Sequence, residues 1–285
     1  MNSHRGNIRF HSAHTGLIST ERFRTIEEYI LHLMHQNDYR LIADMSDNKI
    51  VLDLGCNTGY GTRLLAERCK RVVGVDVSLK AIAMAKLRHG SRGIKFLLFD
   101  GLRLPFKNGS FDLVASLQVI EHIYDTSAFL AEIKRVLAPG RKAVFTTPNA
   151  RIRLDPGMPP WNSFHVREYR GEELDQILRE FFPKTQVLGL FANEPIYSQE
   201  ISRSARSREI ARRRSPLFFK TRAMLPYWAL GIIQSARKLY RTAKKASLPS
   251  VPESELRKYS MDDLFYRDRN LDKSINLMAI CERER

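Results

Sequence analysis

Residues 22–44 place Ile26, Tyr29, Ile30 and Leu33 on one side at helical spacing, which predicts an amphipathic helix. Beyond it the pattern changes to short continuous apolar runs. "KIVLDL" (49–54), "RVVGVD" (71–76), "IKFLLFD" (94–100), "FDLVASL" (111–117) and "KAVFTTP" (142–148) have the length and apolar content of strands buried on both faces. Helical stretches are predicted between them. One covers about 60–69, and a second starts at Ser78 as N-cap and runs to about Leu87. A third spans about Thr126 to Leu137 and stops at "APG". Strands alternating with helices predict a doubly wound parallel sheet, whose ligands bind outside the carboxyl ends of the strands.

After residue 150 the alternation loosens. "DPGMPPWN" (155–162) is a Pro/Gly loop, "GEELDQILREFF" (171–182) a helix and "TQVLGLF" (185–191) a strand. "INLMAICE" (275–282) closes the chain as a last strand. The expected organisation is a single domain over 1–285, with an N-terminal helical cap (1–45) and a basic helical insert (195–262) between the last two strands.

Charge changes the picture in one place. The 285 residues carry a net charge of +16, yet residues 203–245 alone hold 13 Lys/Arg and one acid, Glu209. An anionic partner would therefore be a partner of that segment. The longest apolar run, "AMLPYWALGII" (223–233), has 11 residues, short of the roughly 20 that a membrane-spanning helix needs. The three cysteines have no metal-ligand spacing and no secretory signal is visible, so a cytoplasmic location is expected.

The candidate chemistry begins at "VLDLGCNTGYGT" (51–62). A glycine turn between strand and helix lets a ligand approach the backbone and the helix N-terminus. The absence of G-K-[ST] disfavours a triphosphate P-loop. Asp53, two residues before Gly55, would repel a pyrophosphate and suit a ligand bearing positive charge. Asp76 ends the second strand, where an acid takes ribose hydroxyls, and Asp100 ends the third, within reach of an adenine amino group. Adenine, ribose, sulfonium and ammonium together describe S-adenosylmethionine.

With "GVDVS", "FLLFDGLRLPF", "FDLVASLQVIEHI", "IKRVLAPGRKAVFTTPN" and "FHVREYRGEEL" following in order, the chain resembles the class I S-adenosylmethionine-dependent methyltransferases of the type 11 group over about 20–190 and the last strand. The resemblance implies a Rossmann-like, mostly parallel seven-stranded sheet with an antiparallel last strand. It implies that Asp53, Gly55, Asn57 and Gly59 line the methionine end of the cofactor and that Asp76 holds the ribose. Asp100 with Gly101 would take the adenine, and Gln118 and Tyr39 would lie beside the cofactor. Two positions depart from the pattern. Asp38 replaces an arginine usual before the tyrosine, and Asn57 replaces a glycine. Asparagine tolerates left-handed backbone angles, so Asn57→Gly is expected to bind the cofactor at least comparably.

Candidate catalytic groups are Glu121 and His122 in "VIEH" and His165 in "FHVREY". In small-RNA 2′-O-methyltransferases, which look similar here, E-x-x-E-H and a later histidine bind a metal. This chain has Gln118 at the first glutamate, and the reading adopted is metal-free, although the remaining trio could still hold a divalent ion with waters. The expected reaction is methyl transfer to oxygen of a small-molecule, glycan or lipid-linked acceptor. RNA 2′-O-methylation and a non-catalytic cofactor-binding subunit are the alternatives. From Leu225 the insert reads as a basic amphipathic helix. It could dock on the anionic inner face of a membrane, bind RNA, or pack on the protein as a lid.

Overall fold

The structure, a computed structural model, describes residues 23–90, 93–213 and 249–285. Its centre is one eight-stranded sheet in the order β3-β2-β1-β4-β5-β8-β6-β7. The strands are β1 (Ile50–Leu54), β2 (Arg71–Asp76), β3 (Lys95–Leu98), β4 (Phe111–Leu117), β5 (Leu137–Pro148), β6 (Lys184–Ala192), β7 (Leu264–Arg267) and β8 (Asn276–Glu282). The first five are mutually parallel, and β8 runs antiparallel between β5 and β6. The strand order reverses between β1 and β4, which is the topological switch point of such sheets.

The α-helices among the described residues are α1 (Ile26–Asp44), α2 (Tyr60–Leu65), α3 (Leu79–His89), α4 (Thr126–Val136), α5 (Ala150–Arg153), α6 (Gly171–Arg179), α7 (Ile196–Arg212) and α8 (Glu253–Leu256). One sheet face is covered by α4 and α6 through Phe129, Leu130, Ile133, Leu174 and Leu178. The other is covered by α1, α2 and α3 through Tyr39, Ile42, Leu65, Ile82 and Ala85. An 11-residue helix such as α4 is marginal alone. Asp125 caps it by accepting from the Ala128 N–H at 2.9 Å. Four buried side chains (Phe129, Leu130, Ile133, Val136) then contribute roughly 6–12 kcal/mol of gross burial, far more than the cap.

Two features depart from the sequence expectation. The sheet has eight strands, not seven, because β7 adds antiparallel to β6 at the edge. The segment after β6 therefore leads into β7 and not directly into the last strand. The "APG" stretch does not lie outside the sheet: β5 starts at Leu137, opposite Phe111, and its register on β4 shifts before Lys142 pairs with Leu113. Gly140 takes φ +70° there, and its N–H donates to Arg283 O at 2.8 Å, which ties the bend to the end of the chain.

Within the basic segment, the described residues engage the protein itself. Arg203 pairs with Glu200, Arg206 with Glu27, and Arg212 with Asp155, while Arg208 donates to Ile152 O. The amphipathic helix expected from Leu225 lies outside the described residues, as does residue range 1–22 of the N-terminal cap. No helix among the described residues is long and apolar enough to cross a membrane.

Candidate functional site

A cleft opens at the carboxyl ends of β1, β2 and β4, beside the switch point. Its outline takes in about 660 Å³, including space open to solvent. Of the residues expected from sequence, Tyr39, Gly55, Asn57, Asp76 and Gln118 line it together. Its walls also include His35, Cys56, Tyr60, Val77, Phe99 and Val119, none of which was singled out from sequence.

The glycine turn is built for close approach. Gly55 has φ +88°, and a Cβ there would sit 2.5 Å from Val119 Cγ2. Asp76 clasps the turn to the next loop: its Oδ2 accepts from the Asn57 N–H at 3.0 Å and its Oδ1 from the Ser78 N–H at 2.8 Å. Burial pushes the Asp76 carboxyl up, and these N–H groups oppose that. Each oxygen keeps a further lone pair for hydroxyl donors.

Two non-glycine residues on the lining take left-handed angles, Asn57 at φ +48° and Gln118 at φ +55°. Such angles are rare for glutamine and concentrate at functional sites. The Gln118 N–H donates to Thr146 O at 2.9 Å, and Nε2 donates to Thr146 Oγ1 at 3.3 Å, which fixes the turn. Asn57 is 5% exposed, and neither Oδ1 nor Nδ2 has a hydrogen-bond partner. Tyr60 Oη, on the same lining, is likewise buried without one. An unpaired buried amide costs about 1–3 kcal/mol, so a ligand that pairs it recovers that cost.

Asp53, Gly59, Asp100 and Gly101 are not on the lining. Asp53 stands behind Tyr39, accepting from Tyr39 Oη at 3.1 Å and from Thr62 Oγ1 at 2.6 Å. Burial lifts its carboxyl to about 6 against those two bonds. Asp53 thus anchors α1 and α2 to the end of β1. Gly59 opens α2 at φ +81°, packed against Phe96 and Ala85. Asp100 is exposed and accepts from the N–H groups of Leu102 and Arg103, which closes its own turn; Phe99 takes the wall position instead. His35 on the lining is held neutral, since burial and then nearby His32 lower it to about 4.

A second constellation begins one short 3-10 turn (Ile120–His122) beyond Val119. It unites the three candidate catalytic residues: one ligand atom from each of Glu121, His122 and His165 lies within 4.8 Å of the others. Glu121 is 1% exposed, and burial raises its carboxyl to about 8 despite the bond from Thr147 Oγ1 at 3.1 Å. The His165 segment is stitched on by Val166 and Arg167, whose N–H groups donate to Glu121 O. Behind His165, Glu168 accepts from Nδ1 at 2.7 Å and takes a two-point pair from Arg153. Burial works to raise Glu168, but Arg153 and His165 outweigh it and hold the carboxyl at about 2. Glu168 stands three residues after His165 in "FHVREY" and was readable as its partner by spacing. Arg153 gave no such signal.

Comparison with known proteins now bears on this geometry. The model of a methyltransferase domain, type 11, matches residues 52–145. That span holds the glycine turn, Asp76, Gln118 and Glu121. Over that span the chain is similar to the S-adenosylmethionine-dependent methyltransferases. A protein of Mycolicibacterium smegmatis named as a probable S-adenosylmethionine-dependent methyltransferase is 35% identical over 167 residues, covering 58% of this chain and 64% of that protein. A fatty-acid O-methyltransferase of the same organism is 33% identical over 139 residues, 48% of each chain. The first three curated relatives are matched over only 57–64% of their own length. A solved methyltransferase from Thermotoga maritima superposes with TM-score 0.53 at 14% identity, covering 92% of this chain and 97% of that one. The cyclase SpnF superposes with TM-score 0.50 at 19% identity, covering 87% and 81%. These structural likenesses show the fold alone.

The cofactor of this family is S-adenosylmethionine, and the cleft fits it. Asp76 supplies acceptors for ribose hydroxyls. The unpaired Asn57 amide can meet the methionyl carboxylate with Nδ2. Phe99, Val77 and Val119 offer apolar walls for the adenine, and among the described residues no cation on the lining opposes the sulfonium.

Proposed function

We propose that the protein transfers a methyl group from S-adenosylmethionine to an oxygen of a small-molecule, glycan or lipid-linked acceptor. The observation that carries this reading is the buried, unpaired Asn57 amide on the same cleft wall as the Asp76 carboxylate. Bound there, the cofactor supplies an electrophilic methyl on a sulfonium. The chain contributes alignment, a wall of apolar groups that excludes water, and a polar end for the acceptor. We assign that role to Glu121, His122 and His165, on the ground that the first two follow Val119 of the cleft wall in sequence and His165 lies beside them.

The histidine tautomers follow from their partners. Phe164 O can only accept, so the His122 nitrogen 2.9 Å from it, Nδ1, carries the proton. Asn162 Oδ1 accepts from the Phe164 N–H, which turns Nδ2 toward His165 Nε2 at 2.8 Å and leaves the His165 proton on Nδ1, facing Glu168. Both imidazoles are therefore protonated on Nδ1, and the Nε2 of His165 accepts from Asn162 Nδ2. Oxygen as the methylated atom draws support from the fatty-acid O-methyltransferase relative. An anionic surface as a further partner draws support from residues 214–248, which hold eight Lys/Arg and no acid.

The test is labelled-methyl transfer into fractionated cell extract. Label appearing in a lipid, glycan or small-molecule fraction supports the reading. Label confined to nuclease-sensitive material, or no label with cofactor bound, rejects it. Flotation with anionic vesicles at physiological salt tests the surface partner, and absence of binding rejects it.

A further inference from the structure

We propose that a second pocket, at the sheet edge formed by β6 and β7, binds a soluble phosphate monoester with an aromatic or apolar body. Phe191, Tyr197, Phe265, Arg267, Arg269 and Lys273 line it, and it shares no residue with the cofactor cleft. β6 lies three strands from β4, roughly 14 Å across the sheet, so the two openings are separate. The apolar side follows from the register. Phe191 pairs with Phe265, and the two rings stack with centroids 6.1 Å apart and 10° between their planes. Arg267, two residues after Phe265, projects from the same face, opposite Gly189, which has no side chain to oppose it. Its guanidinium lies 4.5 Å from the Phe265 centroid and 5.9 Å from that of Phe191. Stacking of this kind occupies the flat face of a guanidinium and leaves its N–H edge for an anion.

The loop after β7 adds two more cations and no counter-charge. Asn270 takes φ +58° and turns the chain, and Arg269 and Lys273 on either side of it reach the same lining. Among the described residues, none of Arg267, Arg269 and Lys273 forms an ion pair. The acids near them are engaged elsewhere or off the lining. Asp272 pairs with Arg151 at 3.1 Å, Glu194 accepts from the Ser198 N–H at 3.3 Å, and Asp268 does not line the pocket. The loop is also held in place before any ligand arrives. Tyr197 Oη donates to Lys273 O at 3.2 Å, and Asn149 Nδ2 donates to Leu271 O at 2.7 Å and Ser274 O at 2.8 Å. Three converging cations select the charge of the ligand. A carboxylate offers one negative charge, whereas a phosphate monoester offers close to two and three acceptor oxygens that match guanidinium N–H pairs. The stacked rings and Tyr197 select an aromatic or apolar body. The source is soluble and not a lipid headgroup. Among the described residues, none of the large exposed apolar side chains, of which Leu79 and Leu87 are the most exposed, borders the pocket to enter a bilayer.

The test titrates the full chain calorimetrically, in phosphate-free buffer at fixed ionic strength, with phenyl phosphate, benzoate and inorganic phosphate. The expected result is one phenyl phosphate per chain, benzoate at least tenfold weaker, and inorganic phosphate competing for the same site. The double variant Arg269→Gln/Lys273→Gln removes two charges from exposed side chains, and circular dichroism should show the fold retained. Its affinity for phenyl phosphate should fall at least tenfold while its affinity for S-adenosylmethionine stays unchanged. Phe265→Leu should weaken phenyl phosphate more than inorganic phosphate. No saturable binding of phenyl phosphate by wild type overturns the proposal, as does unchanged affinity in the folded double variant. Binding to vesicles of phosphatidic acid with none to phenyl phosphate overturns it too. The pocket does not depend on the methyl-transfer reading: phosphate binding without cofactor binding overturns that reading alone, and cofactor binding without phosphate binding overturns the pocket alone.

Discussion

Asn57→Gly should move stability and cofactor affinity in opposite directions. Asn57 buries both ends of its amide without partners and holds φ +48°. Removing an unpaired buried polar group returns about 1–3 kcal/mol. Glycine gives back about 0.5–1 kcal/mol through the greater freedom of the unfolded chain. The ligand-free variant should therefore be more stable by about 1–2 kcal/mol, which raises Tm by roughly 2–4 °C per kcal/mol in a chain of this size class. The same deletion removes the donor aimed at the methionyl carboxylate. A hydrogen bond to a charged group contributes about 1.5–3 kcal/mol, so affinity for S-adenosylmethionine should fall by roughly 10–100-fold. From sequence alone the variant was expected to bind at least comparably. The orphaned amide reverses that expectation. Thermal unfolding without ligand and calorimetric titration with the cofactor read the two halves. A variant that binds as tightly as wild type, or one that melts lower without ligand, refutes the reasoning.

Two other perturbations follow from the same packing. Gly61→Ala places a Cβ 2.0 Å from Tyr39 Cζ and must displace the ring that holds Asp53. Although alanine favours the helix by about 1 kcal/mol, we expect a net loss of about 2–4 kcal/mol from overpacking and the broken bond, visible as a lower melting temperature. Asp38→Asn should flatten the pH dependence of stability. Burial raises the Asp38 carboxyl to about 7, against the bond from Tyr266 Oη, so folding retains a proton that the unfolded chain gives up near 4. That contribution is full below about pH 4 and is lost as pH rises toward 7, on the order of 4 kcal/mol at most. Denaturant titrations at pH 5 and pH 8 should differ less in the variant than in wild type.

Much of this molecule was legible in sequence wherever one element declares itself by its own pattern. β1, β2 and β4 are buried on both faces, so their apolar runs are continuous and easily found. Ser78 caps α3 as its position suggested, accepting from the Ala81 N–H. What escaped depends on partners distant in the chain. β7, "LFYR", is four residues long and exists by pairing with β6, and its Tyr266 hydroxyl bonds Asp38 across 228 residues. That contact also accounts for an acid at position 38, which as a sequence feature was only a departure from the family pattern. At the site, Asp76 lines the cleft, whereas Asp100, two residues past β3, lies off its lining. Asp100 spends its carboxylate on its own turn, and the chain points Phe99 into the cleft wall. The pairing of Arg153 with Glu168 joins a helix after β5 to a loop 15 residues on, with no spacing rule to announce it.

The central claim is that the cleft at Asp76 and Asn57 binds S-adenosylmethionine, and calorimetric titration of wild type and Asp76→Ala tests it most directly. The account predicts saturable binding of one cofactor per chain, weakened roughly 10–100-fold in Asp76→Ala by loss of the charged acceptor, with cooperative unfolding preserved. No binding to wild type, or equal affinity in a folded Asp76→Ala, would contradict it.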